Sequence, residues 1–151
     1  MGSEQDKWPR ERAAFLEFIA IAGLPIQPDT VQKRSPPEPD LLCQHTLAGT
    51  LAFELVEICD PTLAKALAQP GRSRFIATAD PSVAIVGKKL GRSYQTPYPI
   101  ELLCYADGRV VTPVDVLVPT LVPVLSSYSH GFRRIWLLAD GEVHVLHSAC
   151  G

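Results

Sequence analysis

A chain of 151 residues has room for one domain with a working apolar core. Its composition, 46% hydrophobic and 20% charged, excludes a disordered chain. A net charge of −2 excludes an overall basic field that would draw the protein onto nucleic acid, leaving only local patches for that role. No stretch approaches the ~18–20 uninterrupted apolar residues of a membrane span. The opening "MGSEQDKWPRER" is polar and of mixed charge where a secretory leader is basic and then apolar. A cytoplasmic protein with no membrane partner is expected. Cys43, Cys59, Cys104 and Cys150 form no C-x-x-C pair, and three of them sit in apolar runs, so they read as structural thiols.

"PRERAAFLEFIAIA", from Pro9 to Ala22, predicts a helix stopped by Gly23 and Pro25, with Phe15, Ile19 and Ala22 as its apolar stripe and Leu16 and Ala20 beside it. Residues 24–39 carry many prolines and predict an extended connector. Leu41–Thr46 and Leu51–Ile58 read as two strands of a hairpin. A compact helix is expected from Asp60, where aspartate caps and Pro61 occupies the first position. Asp80-Pro81 repeats that start ahead of "SVAIVGKKLGR", although Gly87 weakens a helix there. "YPIELLCY" predicts a strand ending in a turn at Asp107-Gly108. Thr112-Pro113 opens an apolar helix that Pro119 and Pro123 kink or divide in two. The last segment, "FRRIWLLADGEVHVLHS", predicts a hairpin turning at Asp140-Gly141. The order implies a single α/β domain with a mixed central sheet flanked by helices.

Two acids stand out. Asp40 follows a rigid proline at the mouth of the first hairpin strand, and Glu54 lies midway along its partner. Pairing brings these positions together, and carboxylates set in core-type sequence are costly unless a cation meets them. Two hard oxygen donors, completed by water, suit Mg²⁺ or Mn²⁺ acting on a phosphate. Alternation puts Glu57 on the other face from Glu54, where it reads as a solvated side chain.

Pro39-Asp40, followed by Phe53-Glu54-Leu55-Val56, resembles the PD-(D/E)xK phosphodiesterase superfamily, the fold of many restriction endonucleases. The resemblance covers most of the chain in topology but only a handful of residues in motif. It implies a restriction endonuclease-like core, bacterial in style, and a Mg²⁺-dependent nuclease with Asp40 and Glu54 as catalytic metal ligands. The family's lysine falls two positions after the second acid, where this chain has Val56. Lys88 or Lys89 is the expected substitute, with Glu38 or Glu17 completing the metal shell. The alternative is a catalytically inactive copy acting as an interaction or dimerisation module through the apolar "VDVLVPTLVPVL".

Arg72, Arg74, Lys88, Lys89 and Arg92 form a local basic excess, a candidate nucleic-acid-binding patch that equally reads as a solvated surface, with Tyr94 and Tyr98 nearby to stack on bases. Arg133 and Arg134, being adjacent, are expected on opposite faces, one paired with a carboxylate. His144 and His147, three apart on a strand, are expected on opposite faces too, which argues against shared zinc ligation.

Overall fold

The computed structural model of the chain describes residues 4–58, 82–106 and 114–149. The helix expected from Asp60, the Asp80-Pro81, Asp107-Gly108 and Thr112-Pro113 signals, Arg72, Arg74, Cys59 and Cys150 lie outside the described residues.

Helix α1 spans Glu4–Ala22 and so begins ahead of Pro9, which it contains. Its stop is the predicted one. Gly23 takes φ +66, and the Leu24 amide reaches back to the Ile19 carbonyl at 3.1 Å, which caps the last turn. The buried stripe runs through Glu11, Phe15, Phe18 and Ile19, so Phe18 rather than Ala20 completes it. A short 3-10 turn at Pro28–Thr30 and a two-residue strand β1, Gln32–Lys33, then lead to the hairpin.

Strand β2, Leu41–His45, pairs antiparallel with β3, Gly49–Glu57, in the register Leu41↔Phe53 to His45↔Gly49. Gly49 turns the chain at φ +79, and His45 Nδ1 accepts the amides of Leu47 and Ala48. Helix α2 follows at Ser82–Leu90. Gly87 has a packing reason to be there: a Cβ at that position would lie 2.7 Å from the Tyr128 hydroxyl. Strand β4, Ile100–Tyr105, runs parallel to β3.

Helix α3 is one continuous helix, Val114–Ser126, with both prolines inside it. Pro119 and Pro123 are four apart and both exposed, so the carbonyls they deprive of partners face water rather than the core. Leu117, Leu121 and Leu125 form the opposite, buried row. Strand β5, Arg134–Ala139, lies parallel to β4, and β6, Glu142–Ser148, returns antiparallel. The turn between them holds Asp140 at φ 54 and Gly141 at φ 71, the left-handed pair that a two-residue hairpin needs.

The result is a mixed six-stranded sheet in the order β1-β2-β3-β4-β5-β6, an α/β domain with three helices among the described residues. One face packs on α1 through Phe15, Phe18, Phe53, Leu55, Leu103 and Trp136. The other packs on α2 and α3 through Val56, Val86, Leu102, Leu121 and Leu137. Among the described residues no helix is long and apolar enough to cross a membrane. Cys43 and Cys104 are buried free thiols, each pushed up to about 12 by burial, and this fits the structural role read from the sequence.

Candidate functional site

The hairpin register sets the site. Because Leu41 opposes Phe53, the residue before it, Asp40, abuts Glu54 at the open end of β2. The Asp40 amide donates to Glu54 Oε1 at 3.0 Å, and the Leu55 amide donates to Asp40 Oδ2 at 2.8 Å. The two predicted acids are thus locked together by backbone donors. Among the described residues no hydrogen bond reaches the remaining oxygen, Asp40 Oδ1.

Alternation along β3 sends Phe53 and Leu55 into the α1 core and Glu54 with Val56 to the other face, toward α2. Glu54 is 2% exposed there. Its Oε2 accepts Lys89 Nζ at 2.7 Å and the Tyr94 hydroxyl at 3.1 Å, with Arg92 Nη1 at 3.9 Å. Lys89 comes from the last turn of α2, while its neighbour Lys88 is exposed. Of the two substitute lysines, only Lys89 meets the acids.

Burial and the neighbouring Glu54 push the Asp40 carboxyl up to about 7, against the opposing pull of the Leu55 amide and Lys89. Two carboxylates in a half-dry site resist ionising together. Tyr94 is likewise shifted upward by burial and by Glu54, so its phenol stays protonated and donates.

The other candidate ligands lie elsewhere. Glu38 is held by Arg34, whose Nε and Nη2 reach it at 3.0 and 3.1 Å. Glu17 sits on α1, lining a small cavity with Arg10 and Tyr105. Glu57, on the face opposite Glu54, accepts both oxygens' bonds from Arg10 at 2.9 Å, so it is ion-paired rather than merely solvated. Among the described residues no group of three or more His, Cys, Asp or Glu side chains is arranged to hold a metal ion. Asp40 and Glu54 are a two-carboxylate set, and the hardness of their oxygens fits Mg²⁺ or Mn²⁺ with water completing the shell.

Two sequence expectations are corrected. Arg133 and Arg134 do not part to opposite faces: both turn to Glu101, Arg133 through Nε at 2.9 Å and Arg134 through Nη1 at 3.6 Å. The indole of Trp136 adds a bond to the same carboxylate at 2.7 Å. Arg133 precedes β5 and is free of its alternation. Glu101, 1% exposed, is a buried acid that the sequence reading passed over, because its partners lie more than thirty residues downstream. His144 and His147 do not point apart either. An irregularity in β6 makes His144 oppose Leu137 and His147 oppose Ile135, residues of one face. His147 instead stacks edge-on to His130, ring centroids 4.7 Å apart.

No family model matches the chain, and no curated protein or solved structure matches it.

Proposed function

We propose that the protein is a Mg²⁺- or Mn²⁺-dependent phosphodiesterase acting on nucleic acid, built on a divergent restriction endonuclease-like core of the PD-(D/E)xK type. The observation that supports it is the meeting of Asp40 and Glu54 at one point of the sheet with Lys89 Nζ 2.7 Å from Glu54. Asp40 and Glu54 would hold the metal. When bound, the cation neutralises phosphate charge and acidifies a water. Lys89, delivered from α2 instead of from β3, would serve in place of the lysine missing at Val56 and orient or stabilise the attacking group. An upward-shifted carboxyl beside a second one is the electrostatic condition that a divalent cation relieves.

The rival reading is the same scaffold without catalysis. It is favoured by the tight closure of Glu54, whose two oxygens are already hydrogen-bonded. Incubation with labelled single-stranded and duplex DNA and RNA in Mn²⁺ separates the two. Cleavage by the wild type, lost in Asp40→Asn and Lys89→Ala but kept in Glu57→Ala, is the expected result. Cleavage that survives Asp40→Asn would remove the assignment, and absence of cleavage on every substrate would favour the inactive module.

A further inference from the structure

Next to the acids the chain leaves α2 and runs through residues 91–99 into β4. Together with residues 129–132, this segment walls a cleft of about 460 Å³, within the range of small-ligand sites. Two of its wall residues, Arg92 and Tyr94, also reach Glu54 Oε2 beside Lys89, so one layer of side chains separates the cleft from the buried carboxylate. We propose that this cleft is a pocket for one unpaired nucleotide, which makes single-stranded nucleic acid the substrate class. The inference rests on the phosphodiesterase reading above.

Three features carry it. The Arg92 guanidinium is only partly committed, 3.9 Å from Glu54 and 47% exposed, so it has donors left for a phosphate oxygen. The ring of Tyr98, 40% exposed at the rim, offers a π face to a base, and base–aromatic stacking tolerates any sequence. The Tyr94 ring, tilted against Phe132 with centroids 5.7 Å apart, gives the interior a rigid aromatic wall, and Thr96 and His130 add polar groups for a sugar or a base edge.

Duplex fits poorly. Its paired bases are stacked inside and cannot enter a pocket, and holding its backbone needs cations spread along a groove. Here the cleft has Arg92 as its cation among the described residues, and Lys89 beside it is committed to Glu54. The whole chain carries a net charge of −2.

The test is fluorescence anisotropy in EDTA, with a labelled eight-residue oligothymidylate and a blunt duplex as probes. Without metal the reading-out of binding is independent of hydrolysis. The single strand is expected to bind and the duplex to bind at least tenfold more weakly. Tyr98→Ala should weaken single-strand binding about tenfold while Tyr98→Phe retains it. Arg92→Gln should reduce the slope of log K against log salt by about 0.7, the contribution of one phosphate contact. Equal or tighter binding of the duplex, no binding of either probe, or an unchanged affinity in Tyr98→Ala would overturn the pocket. Single-strand binding in EDTA with no cleavage in Mn²⁺ would support the pocket and overturn the phosphodiesterase. Cleavage in Mn²⁺ that ignores Tyr98→Ala would do the reverse.

Discussion

Two acids are buried side by side on neighbouring parallel strands, Glu54 on β3 and Glu101 on β4, and they face opposite sides of the sheet. Glu101 points into the α1 face and is surrounded by donors: two guanidinium groups and an indole N–H serve one carboxylate. Glu54 points toward α2 and shares its surroundings with a second carboxylate, Asp40, against the Lys89 ammonium at 2.7 Å and the Arg92 guanidinium at 3.9 Å. Burial alone does not mark a functional acid. The informative difference is compensation: Glu101 has two cations for one carboxylate, whereas the Asp40–Glu54 pair has two for two, one of them at 3.9 Å, and the metal proposal rests on that thinner compensation.

The comparison can be broken at either end. Replacing Glu101 with leucine should have the largest effect on stability, a loss of about 3–5 kcal/mol in urea unfolding, because it strands two half-buried guanidinium groups and a buried indole donor. The phosphodiesterase proposal requires that it leave cleavage per folded molecule intact. Lys89→Met should cost less, about 2–3 kcal/mol, since it leaves the buried Glu54 without its nearest cation, and the phosphodiesterase proposal requires that it abolish cleavage. The double variant Lys89→Met/Glu54→Gln should recover part of that loss, and a double-mutant cycle measures the coupling.

Asp40→Asn should act with the opposite sign. A carboxyl raised to about 7 in the fold, against an ordinary value of 3.8, binds its proton more tightly folded than unfolded. Wild-type stability should therefore fall as pH rises from about 4 to about 7 and level off above, and the asparagine variant should lack that fall. Melting temperatures at pH 4 and pH 8 check it: the variant gains at pH 8 and not at pH 4. Mn²⁺ should raise the wild-type melting temperature more at pH 8 than at pH 5, and should not raise that of Asp40→Asn. The smallest effect is expected from Gly87→Ala, below about 1 kcal/mol. The new methyl displaces the partly exposed Tyr128 hydroxyl, while the better helix propensity of alanine offsets the cost.

Features governed by neighbours in the chain were legible before any coordinates. The Asp140-Gly141 turn and the stop at Gly23 follow from backbone preferences of a few residues. The approach of Asp40 to Glu54 was legible for a related reason: a short hairpin turn sets the register, and register sets which residues meet. The prolines of α3 misled in part, because their cost depends on whether the freed carbonyls face water, which needs the helix to be placed on the sheet. The two histidines misled because one irregularity in β6 resets alternation, and no residue type announces it.

The amino-acid sequence by itself determined the order of the longer described helices and strands, the hairpin turns and the pairing of Asp40 with Glu54, since each is set by steric and hydrogen-bonding preferences acting over a few residues. Only the tertiary structure decided that Lys89 and not Lys88 closes on Glu54, that Tyr94 and Arg92 join it, and that both arginines before Ile135 serve Glu101. Those choices depend on how a helix is rotated and set against the sheet. Burial of the apolar rows of α2 and α3 settles that geometry, and distant side chains then pair with whichever charges it brings within reach.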